Sequence, residues 1–258
     1  METAENRKQG DDPRENTSRN THQAVMDLLR RHTQARKVLD IPCGEGAFTK
    51  RLMDAGLEPH SADVEDLILT PGARFKVCDI DRPLPYPDSD FDAVVCIDGI
   101  EHIERPFDFI RETHRILREE GVFLLSTPNI SSLRSRWRWL LTGFHNKGKS
   151  PLNEARPSPL HHIQLLGFPI LRYGLHRSGF RITALRANRV KAVSWLYAPL
   201  VPFSYAVTRR VFRKEEQDPE QRRRNREILR QMFLRPVLFG ETLIVEAAKC
   251  GTRMTERP

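Results

Sequence analysis

Carboxylates stand at the ends of apolar runs throughout the first half of the chain: Asp40, Asp63, Asp79, then Asp98 and Glu101. After the first comes Ile41-Pro42-Cys43-Gly44-Glu45-Gly46, whose two glycines let the backbone turn tightly and approach a ligand without a Cβ in the way. Thr49 occupies the position where a dinucleotide fingerprint needs a third Gly or Ala. Asp40 would also press a carboxylate against a pyrophosphate. The pair suits a cationic or polyhydroxyl ligand better. Asp63 lies 23 residues beyond Asp40, where doubly wound folds hold a ribose diol; the plainer reading is a loop acid in Asp63-Val64-Glu65-Asp66. Glu101-His102 could take a proton from a hydroxyl or carbon nucleophile, against the alternative of a histidine packing behind a loop. His161 and His162 precede an apolar run and could reach the same place from a lid.

Positioning these groups requires strands that alternate with helices. Val38, Leu39 and Ile41 suit a buried parallel strand. Phe48, Leu52 and Ala55 then share a helical face, with Gly56 at the C-cap position. Further strands are expected at 58–63, 75–80, 91–97, 122–127, 180–185 and 241–247. Helices are expected at 21–32 and 106–120, the second stopped by Gly121. Asp218-Pro219 should open another as N-cap and N1. The alternation predicts an α/β doubly wound sheet with right-handed crossovers. We divide the chain into a disordered arm (1–20) and a single domain (21–258). Its 21–130 half would bind a cofactor, and 131–179 and 187–240 are expected to be substrate/lid or membrane-facing insertions.

The stretch Val38–Gly46, the run Phe91–His102 and Ser126-Thr127-Pro128-Asn129 resemble the motifs of class I S-adenosylmethionine-dependent methyltransferases. The likeness is to the small-molecule type that acts in ubiquinone, menaquinone and surface-glycan pathways. It covers roughly residues 20–185 and the last strand, and implies a seven-stranded, mostly parallel Rossmann-like sheet whose last strand is antiparallel. By position, the resemblance implies that Asp40, Cys43, Gly44 and Gly46 surround the methionine portion of the cofactor. Asp63 would take the ribose hydroxyls, Asp79 and the Ile80 backbone the adenine, and Ile97 and Asp98 would close the pocket. His102 and Glu101 are the catalytic candidates. Pro42 departs from the family's usual Gly, and the 187–240 insertion replaces what is often a tight connection. Ile97-Asp98-Gly99-Ile100 lacks the D/N-P-P-aromatic run of enzymes that methylate nucleic-acid amines.

The chain has 258 residues, 39% of them hydrophobic, and carries 42 Lys+Arg against 34 Asp+Glu, a net charge of +8. That balance favours an anionic partner. The four cysteines show neither zinc-ligand spacing nor a disulfide framework, so reduced thiols, no metal and a cytoplasmic setting are expected. Two stretches mix cations with large apolar side chains: Arg134 to Phe144, and the uncharged run Ala192–Thr208 ending in Arg209-Arg210. The second holds Pro199 and Pro202 and is too short to span a bilayer. Peripheral contact with the inner face of an anionic membrane is the expectation, the other reading being a substrate lid or a dimer surface. The function read from the sequence is methyl transfer to oxygen or carbon of a small or lipid-linked acceptor. RNA methylation or nucleic-acid binding is the alternative, and an NAD-dependent oxidoreductase ranks below both.

Overall fold

The structure, a computed structural model, describes residues 12–250 except 149, 157, 216 and 217. Seven strands form one sheet: β1 Lys37–Asp40, β2 Glu58–Asp63, β3 Arg74–Val77, β4 Phe91–Ile97, β5 Leu117–Pro128, β6 Phe180–Ala187 and β7 Thr242–Lys249. Their order is β3-β2-β1-β4-β5-β7-β6. β1 to β5 pair in parallel, and β7 runs antiparallel to both β5 and β6. The expected seven-stranded sheet with an antiparallel last strand is what the chain forms.

The sheet's two faces bury different residues, as the two-residue period of a strand dictates. Leu39, Val94, Cys96, Phe123 and Leu125 face one core layer, which is completed by α3 (Pro106–Ile116) and α5 (Phe168–Arg177). Val38, Ala93, Val95, Val122 and Leu124 face the other, covered by α1 (Thr21–Leu29) and α2 (Ala47–Asp54). Central strands buried on both sides need continuous apolar runs, and β4 is buried at six of its seven positions.

Several boundaries differ from expectation, among them the end of α1 at Leu29 rather than residue 32. α3 ends at Ile116 rather than running to Gly121, because Leu117 pairs with Phe91 and opens β5. β3 stops at Val77, leaving Cys78 to Ile80 in the following loop. Residues 1–11 lie outside the described residues, but 12–20 are laid against the domain.

Beyond β5 the insertions form α4 (Leu133–Thr142), a 3₁₀ segment (Ala192–Leu200), α6 (Val201–Glu215), α7 (Pro219–Met232) and α8 (Arg235–Phe239). α7 starts as its sequence requires: Asp218 caps it by accepting from the Glu220 N–H, and Pro219 fills the first turn.

Candidate active site

The chain runs outward from β1 to β3, then returns to β4 beside β1. Open α/β sheets bind ligands outside the carboxyl ends of strands at such a reversal. The Asp40–Gly46 turn and the Ile97–His102 segment leave those two strands and meet there.

The two glycines of the turn serve different purposes. Gly44 has φ +51°, and a Cβ placed on it would meet nothing within 4 Å, so it borders open space. Gly46 has φ +87°, and a Cβ there would lie 2.6 Å from Thr70 Oγ1 and 2.9 Å from Ile68. The first keeps the cleft floor bare; the second lets segment 68–70 close on the turn. Gly99 answers to Pro42 in the same way, since a Cβ there would come within 2.3 Å of the Pro42 ring.

Asp63 reaches the turn from the end of β2. Its Oδ2 accepts the Gly44 N–H at 2.8 Å and its Oδ1 accepts the Val64 N–H at 2.7 Å. Burial raises its pKa despite these bonds. Asp40 lies beneath the turn, 1% exposed, and accepts from Thr49 Oγ1 at 2.7 Å. Desolvation pushes Asp40 up to about 7, against the Thr49 bond that favours its charged form. Thus Thr49, which departs from the dinucleotide pattern, is the hydrogen-bond donor for the motif's own acid. Cys43 is buried and its thiol is driven upward, first by burial and then by Asp40 and Asp63, so it is an inert lining group.

Asp79 and Ile80 follow β3. The Asp79 carboxylate is partly exposed and accepts from the Asp81 N–H at 2.9 Å and Arg82 Nε at 3.2 Å, while Ile80 is buried. Its Oδ1 and Oδ2 are thus both engaged locally. On the other side, Ile97 ends β4 and Asp98 turns the chain with φ +46°. Ser126 Oγ donates to Asp98 Oδ1 and Thr17 Oγ1 donates to Asp98 Oδ2, each at 2.6 Å.

The Thr17 bond comes from the arm, which sequence reasoning left out of the site. The Arg14 N–H donates to Glu45 Oε2 at 2.8 Å, and Arg51 holds Glu15. Residues 12–20 therefore cross from the Gly turn to the end of β4. Alternating polar residues without an apolar pattern gave no signal for this.

Glu101 and His102 form a 3₁₀ turn just beyond. Glu101 is fully buried; Thr127 Oγ1 donates to its Oε2 at 3.1 Å and its Oε1 has no partner. Burial first, and Asp98 second, raise its pKa well above the usual range. The long insertion after α4 docks here. The Gln164 N–H donates to the Glu101 carbonyl at 3.0 Å, and His102 Nδ1 stands 3.0 Å from the His161 carbonyl. A carbonyl can only accept, so Nδ1 carries the proton and Nε2 keeps its lone pair. Burial outweighs nearby carbonyls and Asp98 and lowers the His102 pKa, which keeps the ring neutral. His162 stands edge-on to it at 4.7 Å, and Glu101, His102 and His162 each bring a donor atom within 4.8 Å of the others. That N/O set has the composition to hold a divalent cation.

At the end of β5 the Asn129 amide donates to the carbonyls of Pro236, Val237 and Gly240 at 3.0, 2.9 and 3.0 Å. This ties α8 to the strand. A cavity of about 120 Å³ beside it is lined by Asn129, Arg134, Lys147, Lys191 and Ser194 among others. It lies at the β5 end, away from the Gly turn; Glu241 also lines it and pairs with Lys191 at 2.6 Å, and Lys147 donates to Ser18 Oγ at 2.8 Å.

Residues 39–125 match the family model described as a methyltransferase domain. Over 154 residues the chain is 31% identical to a probable S-adenosylmethionine-dependent methyltransferase of Mycolicibacterium smegmatis, covering 58% of each chain. It is 29% identical over 132 residues to a ubiquinone biosynthesis O-methyltransferase of Ruegeria pomeroyi, covering 44% of this chain and 53% of that one. The chain thus spans little more than half the length of these curated relatives. Among solved structures, a SAM-dependent methyltransferase from Archaeoglobus fulgidus superposes with a TM-score of 0.54 at 21% identity, over 89% of this chain and 95% of that one. That likeness shows the shared Rossmann-like methyltransferase fold.

Proposed function

We propose, from a methyltransferase domain spanning the cofactor half, that the chain uses S-adenosylmethionine to methylate oxygen or carbon of a small or lipid-linked acceptor. The observation that carries this reading is the Gly44–Asp63 junction. A bare glycine floors the cleft, and a carboxylate fixed by the Gly44 N–H stands beside it with further lone pairs to offer.

When bound, the cofactor supplies a methyl group on a sulfonium with a built-in leaving group. Asp63 would accept from the ribose hydroxyls, and Asp79 with Ile80 would border the adenine. Gly44 would admit the methionine portion against the backbone, over the buried Asp40, while Gly46 keeps segment 68–70 closed on the turn. Ile97 and Asp98 bound the cleft from β4, and the arm residue Thr17 closes it by holding Asp98. Excluding water and aligning the reactants is the main work of such a site, and alignment can contribute up to roughly 7–11 kcal/mol.

A hydroxyl or carbon acid must also lose a proton. His102 Nε2, neutral and aimed by the Nδ1 contact to His161, is the base in this reading. Burial favours the neutral form of Glu101, whose carboxyl is turned inward to Thr127, so it positions the turn rather than meeting the acceptor. The acceptor would enter over the carboxyl ends of β4 and β5, beside the cavity at Arg134, Lys147 and Lys191.

Calorimetric titration with S-adenosylhomocysteine, with NADH in parallel, tests the cofactor. Saturable micromolar binding of the first alone is expected. Heat from neither, or from NADH alone, would overturn the reading.

A further inference from the structure

α6 presents an apolar stripe that no element among the described residues covers. Phe203, Val207 and Val211 are spaced by four residues and are 72%, 45% and 47% exposed. At 100° per residue they stand on the side of the helix opposite Tyr205 and Phe212, which face the protein. Arg210 and Lys214 fall within or beside this stripe, and neither has a carboxylate partner among the described residues.

The patch continues at both neighbours. The 3₁₀ segment that leads into α6 exposes Leu196 at 76%. α4 packs beside that segment, with Trp137 6.5 Å from Tyr197, and exposes Trp139, Leu140 and Leu141. No Asp or Glu occurs in residues 130–153 or 192–214, whereas Arg134, Arg136, Arg138, Lys147, Arg209, Arg210, Arg213 and Lys214 do. Exposed aliphatic and aromatic side chains on this scale cost free energy in water and mark an interaction surface.

We infer that α4, the 3₁₀ segment and α6 form a docking face for an anionic phospholipid surface. Leu196, Phe203, Val207 and the end of α4 enter the acyl–headgroup boundary, and Arg210 and Lys214 meet the phosphates. Charge selects this occupant. A second copy of the chain would bring like cations into the seam, with no acid between Ala192 and Lys214 to pair them. A nucleic acid would use the cations but leave the aliphatic stripe wet. No helix among the described residues is long and apolar enough to cross a membrane, so the contact is peripheral. Trp195 is a poorer anchor than its exposure suggests: its ring stacks on Phe239 at 4.8 Å, with Arg235 over it at 5.3 Å. The inference does not depend on the chemistry of the cleft.

Co-sedimentation of the full chain with vesicles tests it. Phosphatidylglycerol–phosphatidylcholine vesicles should pellet the protein at 0.1 M salt, and pure phosphatidylcholine vesicles should not. Leu196→Ser with Phe203→Ser, and separately Arg210→Glu with Lys214→Glu, should each lower the pelleted fraction about fivefold or more. Both variants should keep the wild-type melting temperature and wild-type S-adenosylhomocysteine titration, a comparison that separates loss of docking from loss of fold. Protein remaining in the supernatant with anionic vesicles, or equal pelleting with both lipids, would overturn the inference. So would wild-type pelleting by both variants, or a doubled solution mass that Phe203→Ser returns to a monomer. Tight, salt-sensitive binding to generic RNA without vesicle binding would give the face to nucleic acid instead.

Discussion

Thr17 and Asp98, 81 residues apart, are joined by a 2.6 Å hydrogen bond that ties the arm to the end of β4. The bond goes to a carboxylate, and such bonds contribute about 1.5–3 kcal/mol when one partner is charged. Only part of that is felt at the cofactor, because the arm is also held at Arg14 and Glu15. Thr17→Val should therefore weaken S-adenosylhomocysteine binding about three- to tenfold by calorimetry, mainly through faster release. An unchanged affinity would show that the arm rests on the site without closing it.

Asp63 should matter more. Asp63→Ala removes both the proposed ribose acceptor and the group that fixes the Gly44 N–H, and is expected to weaken the same ligand about tenfold or more. Asp63→Asn keeps one acceptor oxygen and should fall between. Equal affinity in all three proteins would remove Asp63 from the site.

The two turn glycines should separate in a melting experiment. Gly46→Ala sets a Cβ 2.6 Å from Thr70 Oγ1 at a positive φ, and should cost about 2–4 kcal/mol from strain and overpacking together. That corresponds to roughly 4–15 °C in melting temperature for a chain of this size. Gly44→Ala has a positive φ but open space, and should cost about 1–2 kcal/mol. Its larger effect should be on cofactor binding, because the new methyl group stands in the cleft.

Asp40 gives the fold a pH dependence with a defined sign. Its pKa rises from 3.8 to about 7 on folding. A raised folded value means the folded state holds the proton more tightly. The contribution to stability is fully present below about pH 4 and is lost as pH rises towards 7. The shift corresponds to an upper figure of about 4 kcal/mol. Asp40→Asn, whose amide oxygen can still accept from Thr49, should lack this loss. It should therefore gain on the wild type between pH 4 and 8 in urea titrations. Parallel curves for the two proteins would mean that Asp40 ionises without cost.

Features that depend on neighbours in the chain were legible beforehand. The β1–glycine turn–α2 unit, the α7 cap and the buried β4 all follow from local spacing and turn chemistry. β2 was legible by its place although Glu58-Pro-His-Ser has poor strand propensity; pairing with β1 and β3 overrides that. What stayed hidden depends on partners distant in sequence. Gly46 is demanded by Thr70, Gly99 by Pro42, and the burial of Asp40 by the layer above it. Helical spacing at 117–120 lost to the pairing of Leu117 with Phe91. The arm's role could not be read at all, since hydrogen bonds from isolated polar residues leave no periodic trace.

The Asn129 amide, bound to three carbonyls around α8, has a mechanical consequence. Thr127, two residues earlier and within β5, holds Glu101, while Phe239 of α8 carries the stacked Trp195. One short strut thus joins the outer face of the insertion to the floor beneath His102. Anything that seats against that face is held at a set height and tilt relative to the cleft. On the proposed function, the approach angle of an acceptor would then be set by the folded chain, and loosening the strut with Asn129→Ala should lower turnover more than S-adenosylhomocysteine affinity.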